Sequence, residues 1–464
     1  MLSLERDRKP GRTKYDRVMS KTLIENAFIV NEGREGTGYV LIDGERIAET
    51  GAGAYRGERP ERVIDAGGKL LMPGIIDDQV HFRQPGLTCK ADIRSESLAA
   101  AAGGVTSYLE MPNTKPPTVT AELLQEKRDI AARDSAVNYA FYLGATNDNI
   151  DEIRRIAPSL ICGVKVFMGS STGNMLVDDP GTLAAVFAES PVLVATHCED
   201  EATIRRNLEY YRKHYGDKIE PEAHPLIRSA EACYVSTARA VEMADKYGTN
   251  LHVLHLSTAR ELTLFDAKPL AEKRITNEVC VHHLWFSDRD YRRKGNFIKW
   301  NPAVKTEADR KALIDGIETG KVDVVATDHA PHTLEEKRRP YLEVPSGGPM
   351  VQHSLIVMLE LHKRGEVSLS RIVEKMCHAP ALRFRIRERG FIRKGYYADL
   401  VLADPMAEAW KATREGLLYK CGWSPLEGEG FTARVDTTFV NGQIVYRDGR
   451  VDPDIRGKAL EFER

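Results

Sequence analysis

Apolar and polar positions change rhythm twice along this chain. From Lys21 to Leu70 they come in strand-length bursts, TLIENAFIV, GYVLIDGERIAET and ERVIDAGGKL, separated by Gly or Asn turns, which predicts a small antiparallel sheet. The texture returns near the other end in ADLVLADP and FTARVDTTFVNGQIVYRDGRV, where Asn441-Gly442 is a strong hairpin signal. Two β segments flanking a long middle region predict one small β-sandwich built from both ends, with two unrelated sheets as the alternative. Between them, apolar runs begin at Val105, Tyr139, Val164, Val192, Leu251, Val279 and Val322, and helical patterns such as AELLQEKRDIAARD, STARAVEMADKYG and EADRKALIDGIETG lie between the runs. With the buried run that opens at Leu70, they make eight βα units. That number predicts an α/β fold with a (β/α)8 TIM-like barrel over residues 71–390. The sandwich would draw on residues 19–70 and 391–464, and the basic, apolar-poor residues 1–18 are expected to be a disordered extension. A doubly wound open sheet is the fold alternative, but neither GxGxxG nor a P-loop accompanies it.

Charge and cysteine content narrow the class of partner. Lys+Arg 66 against Asp+Glu 68 leaves a net charge of -2, so no nucleic-acid or membrane surface is expected. The 7 cysteines are scattered without a CxxC pair, which suits a reducing, cytoplasmic setting. No apolar run approaches the roughly 18 residues of a membrane span, and no signal-peptide core is evident.

The candidate chemistry sits where the apolar runs end. PGIIDDQVHFRQPG begins as a buried strand and turns polar, with Gln79, His81 and Arg83 two apart and therefore on one side of an extended chain. Other runs end likewise: Asn113 follows the second, Lys165 lies in the fourth, His197 ends the fifth, His252 and His255 flank the end of the sixth, and Asp328-His329-Ala330-Pro331-His332 follows the eighth. A lone polar residue of this kind is ordinarily a satisfied core group. Six such ends on one rim predict an active site, because barrel enzymes carry their chemistry at the C-terminal strand ends. His, Asp and a buried Lys at one mouth suit a borderline divalent metal such as zinc. An ammonium would repel that ion, so Lys165 makes sense as a carbamate, an anionic oxygen donor; the alternative is a lysine paired with a rim carboxylate such as Asp328.

These motifs, together with AAAAGGVTSYLEMPNTKPP, GVKVFMGSS, THCED, HVLHLSTARE, CVHHLWF, NPAVKTEADR, TDHAPH and GFIRKGYYADLVLADP, resemble those of the dihydroorotases, in the cyclic amidohydrolase group of the amidohydrolase superfamily. The resemblance runs from Met19 to the C-terminal hairpin. It implies one or two zinc ions, an N6-carboxylated Lys165, and metal ligands at His81, His197, His255 and Asp328. It also implies reversible hydrolysis of the cyclic amide of L-dihydroorotate to N-carbamoyl-L-aspartate, a step of pyrimidine biosynthesis. Asp328 would act as general base and acid. Arg83, Asn113 and His332 match the positions that hold the substrate carboxylate, and Asn301 is a further substrate-binding candidate. A homo-oligomer, dimer or tetramer, and a carbamoyltransferase partner belong to the same expectation.

The sequence departs from the family pattern at three places. Gln79 replaces the first histidine of His-x-His and is expected to be a weak or absent ligand. Lys305 replaces an arginine, and PSGGPMVQHS replaces a glycine-rich stretch. Two competing readings follow: a non-catalytic scaffold for a carbamoyltransferase, motivated by Gln79, and an amidohydrolase of other specificity, such as a hydantoinase or allantoinase. Retention of Lys165, His197, His255 and Asp328 opposes the first, and Arg83 opposes the second.

Overall fold

The computed structural model describes residues 21–169 and 175–464. The expected extension at residues 1–18 lies outside them. Among the described residues, eight parallel staves close into a barrel: Ile75–Val80, Val105–Glu110, Asn138–Phe141 continued by Leu143–Gly144, Val164–Phe167, Val194–His197, Leu251–Val253, Ile275–Cys280 and Val324–Ala326. The ring closes where the His81 amide donates to the His329 carbonyl at 2.7 Å, beside a parallel bridge between Val80 and His329. Parallel staves are covered on both faces, so apolar residues open most of them while buried polar residues such as Ser107, Lys165 and His252 stand among them. In the seventh, ITNEVC, the polar residues fall together near its start. Its buried Thr276, Asn277 and Glu278 break the apolar signal, so only its end at Val279 is legible in sequence.

Helix boundaries follow their caps. Thr120 accepts from the Leu123 amide at the start of Ala121–Asp134, and a capping box of Thr306 and Asp309 opens Glu307–Thr319. The pattern STARAVEMADKYG marks only the later part of Ala230–Tyr247, because Ser229 supplies the N-cap and the buried stripe already begins at Ala232. After the sixth stave the expected helix is missing among the described residues. A short 3-10 turn, Glu261–Leu264, stands there, and Pro269 follows before another helix can form.

Both chain ends contribute to one nine-stranded sheet. Its N-terminal part is mixed rather than purely antiparallel. Thr22–Asn31 pairs antiparallel with Arg34–Asp43, while its other edge takes Arg62–Asp65 and Leu70–Pro73 in parallel. Leu70–Pro73 in turn pairs with Leu400–Asp404, joining the C-terminal strands to the N-terminal ones immediately before the first stave. Arg434–Val440 and Gln443–Arg447 form the Asn-Gly hairpin, with φ of 49° at Asn441 and 75° at Gly442, the geometry that selects those residues. No helix among the described residues is long and apolar enough to cross a membrane.

Candidate active site

The C-terminal ends of the staves converge on one pocket. Gln79, His81, Arg83, Asn113, Lys165, His197, His255, Asn301 and Asp328 all line it. Arg83, His255 and Asp328 turn into it with positive φ, 68°, 42° and 44°. Such backbone costs about 1–3 kcal/mol per residue and persists only where the surroundings impose it. His332 does not line the pocket. It stands behind Arg83, with Nε2 3.2 Å from Arg83 Nη2 and 3.0 Å from the Ser346 carbonyl, and with Nδ1 3.0 Å from Lys90 Nζ.

Two imidazole edges are oriented by their neighbours. His81 Nδ1 lies 2.7 Å from Asn113 Oδ1, so it carries the proton, and Nε2 turns its lone pair toward Asp328 Oδ1 at 3.1 Å. His197 Nε2 faces Glu199 Oε2 at 3.2 Å, which leaves Nδ1 toward His255 Nε2 at 3.0 Å. Burial holds all three histidines below the ordinary imidazole value, so each is neutral at pH 7. Glu199 stays ionised although burial alone would raise it. The adjoining Arg228 guanidinium and His197 overcome that and hold it at about 2.

Lys165 reaches the same pocket from the fourth stave. Its Nζ has no hydrogen-bond or ion-pair partner among the described residues and lies 4.6 Å from the Phe167 ring centre. Burial pushes it down to about 8. Near neutral pH the neutral amine is therefore far more accessible than for an ordinary lysine. Gln79 Nε2 donates to Asp328 Oδ1 at 3.3 Å, and Gln79 Oε1 lies 3.6 Å from the Cys280 thiol. In this orientation Gln79 steadies Asp328 and keeps its oxygen away from the other donors.

Arg83 is 2% exposed and forms no ion pair with any described carboxylate. Its Nε donates to the Pro331 carbonyl at 3.0 Å, which aims the remaining guanidinium edge into the pocket. Burial lowers it to about 10, so it stays charged at neutral pH.

A model of the amidohydrolase family matches residues 70–445. The dihydroorotase of Halobacterium salinarum is 36% identical over 397 residues, covering 84% of this chain and 89% of that protein. An allantoinase of Bacillus velezensis is 33% identical over 433 residues, covering 92% and 94%. The L-hydantoinase (dihydropyrimidinase) structure from Arthrobacter aurescens superposes with a TM-score of 0.88 at 27% identity, covering 95% of this chain and 99% of that one. The chain belongs to the amidohydrolase family.

Amidohydrolases are generally metal-dependent. Three neutral imidazoles, one carboxylate and an unpartnered amine converge, with His255 Nδ1 and Asn301 Oδ1 buried and lacking hydrogen-bond partners among the described residues. Several pocket features had no role assigned from sequence. Trp300 and Phe167 form apolar wall, and Ser346-Gly347 closes another side. Gly347 has φ 126°, and a Cβ there would meet the Ala330 carbonyl oxygen at 2.5 Å, so this loop needs glycine. Lys305 is absent from the pocket; its Nζ donates to the Ala303 carbonyl at 3.0 Å and the Ser257 hydroxyl at 3.3 Å. Below the pocket, Asp78, His252 and Glu278 form a buried cluster whose ligand atoms lie within 4.8 Å of one another and could hold a metal ion. A register shift between Asp77 and Val80 breaks the two-residue alternation, so Asp78 turns inward as well as Gln79.

Proposed function

We propose that this amidohydrolase is a dihydroorotase, opening the cyclic amide of L-dihydroorotate reversibly to N-carbamoyl-L-aspartate in pyrimidine biosynthesis. Arg83 carries the reading. A buried guanidinium with no carboxylate partner among the described residues calls for an anion from the substrate. The dihydroorotate ring bears a carboxylate, whereas the hydantoin and allantoin rings do not. The relatives favour the same ring, with dihydroorotases of several archaea and bacteria matching at 30–36% identity beside an allantoinase at 33%.

In this reading His81, His197, His255 and Asp328 hold one or two zinc ions, with Lys165 contributing as its N6-carboxylate and Gln79 as a weak ligand or none. The bound ion supplies Lewis acidity to the amide carbonyl and acidity to the attacking water. Asp328 accepts the proton of that water and returns it to the leaving nitrogen. Its orientation comes from Gln79 Nε2 and from the strained backbone at residue 328. Asn113 fixes His81 and borders the carboxylate site, Asn301 offers its unpartnered oxygen to the ring, and His332 backs Arg83. A scaffold subunit has no physical need for the strained His255 and Asp328 facing one pocket. Assembly as a cytoplasmic dimer or tetramer, or with a carbamoyltransferase, is a further part of the proposal that light scattering and co-purification test. The substrate assignment is tested by comparing kcat/KM for dihydroorotate, hydantoin and allantoin on metal-loaded protein. Dihydroorotate should be strongly preferred, and equal or better turnover of a ring without a carboxylate would overturn the assignment.

A further inference from the structure

Beneath the pocket, three ligand-type side chains meet inside the barrel. Asp78 comes from the first stave, His252 from the sixth and Glu278 from the seventh, and all three are fully buried. None of them lines the pocket above. Asp78 Oδ2 lies 3.1 Å from His252 Nε2, and Glu278 Oε2 lies 3.4 Å from the same nitrogen.

His252 Nδ1 lies 2.8 Å from the Thr276 hydroxyl, and its Nε2 edge faces both carboxylates. Neither oxygen of Asp78 accepts a hydrogen bond from any described residue. Two buried carboxylates thus crowd one imidazole edge with Asp78 left without a donor, a costly arrangement in a dry interior that a cation at this point would relieve.

Charge and spacing both suit a dication. Two carboxylates balance its charge, and imidazole with carboxylate is an ordinary donor set for zinc. Bonds of about 2.0–2.2 Å in tetrahedral geometry place ligand atoms about 3.3–3.5 Å apart. The two separations here, 3.1 and 3.4 Å, are close to that edge. We propose that Asp78, His252 and Glu278 bind a divalent cation of the zinc type, at a position separate from the catalytic pocket. It clamps the first stave to the sixth and seventh from inside the barrel. Glu278 Oε1 accepts the His255 amide at 3.1 Å, so the clamp also steadies the backbone of a residue in the pocket above. The proposal does not rest on the substrate assignment.

The test reads metal and stability rather than turnover. Full-length protein is dialysed against a chelator, its residual zinc is measured, and crystals grown with zinc are examined at the zinc absorption edge. The wild type should retain about one equivalent per chain, because the three ligands are enclosed by the barrel. An anomalous peak should lie among Asp78, His252 and Glu278. Asp78→Asn and His252→Gln should lose that equivalent and melt at lower temperature, while His81→Asn, altered in the pocket above, should keep it. Absence of the peak in wild-type crystals would overturn the proposal and leave a shared proton as the occupant, and this holds even if the variants fail to fold. Equal retention by the wild type and both cluster variants would overturn it as well. Dihydroorotate turnover enters neither readout, so failure here is distinguishable from failure of the functional assignment.

Discussion

Replacing Arg83 by lysine keeps the charge and removes the fork. In the present geometry Nε is committed to the Pro331 carbonyl and Nη2 stands against His332, which leaves the outer guanidinium edge for a substrate carboxylate. A lysine ammonium places its three donors at one point, so it cannot hold Pro331 and grip a carboxylate in two places. At 2% exposure no water replaces the missing contact. Loss of one hydrogen bond to a charged group is worth about 1.5–3 kcal/mol, so kcat/KM for dihydroorotate should fall about 10- to 150-fold. The assay is steady-state hydrolysis of dihydroorotate, with hydantoin as a ring lacking the carboxylate and metal content measured on each preparation. Bound metal should stay unchanged, and any weak hydantoin turnover should survive. Unchanged dihydroorotate kinetics would refute the reasoning, and an equal loss on both rings would mean that Arg83 is structural.

Three further outcomes follow from the same geometry. Lys165→Ala should lose both metal and activity, and small carboxylic acids at high concentration should restore part of each by replacing the carbamate oxygens; full metal binding by the variant would remove Lys165 from the ligand set. Gln79→His should tighten the weaker of two metal positions, so that two separate steps in titration of the metal-free protein draw together; two equal tight sites in the wild type would show that Gln79 costs nothing. Arg228→Met should cost about 3–5 kcal/mol in urea unfolding, because it leaves the Glu199 carboxylate buried without its cation. Glu199 is depressed from 4.5 to about 2 in the folded protein, so its contribution is present above 4.5 and is lost as pH falls toward 2. The deficit of the variant should therefore be widest at neutral pH and shrink in acid, and a deficit independent of pH would assign it to packing alone.

The parts of the fold that were legible in sequence are those whose burial is uniform. Val105–Glu110 and Val164–Phe167 are covered on both faces and keep enough apolar residues to be read as strands, while Asn441-Gly442 declares its turn by backbone conformation alone. The first part of the seventh stave was hidden because the Asn277 and Glu278 side chains face protein partners rather than water. The pocket was legible because its polar groups sit at strand ends, where spacing in sequence maps onto position in the barrel. Residues that act from a distance in sequence were not. Arg228 steadies His197 through Glu199, and Lys90 reaches His332 from a loop 242 residues away, contacts that only the closed barrel creates. Asp78 was masked for another reason, since a regular strand would have turned it away from the interior that the register shift lets it reach.

The most direct test of the functional account is metal content measured alongside dihydroorotate hydrolysis on one and the same sample, from protein whose pocket has been emptied by a chelator through stepwise addition of zinc. The account predicts ring opening that is absent without metal, rises with metal bound in the pocket of His81, His197, His255 and Asp328, and disappears again on chelation. Metal-loaded protein that leaves dihydroorotate intact, or turnover that does not change as the metal is removed, would contradict it.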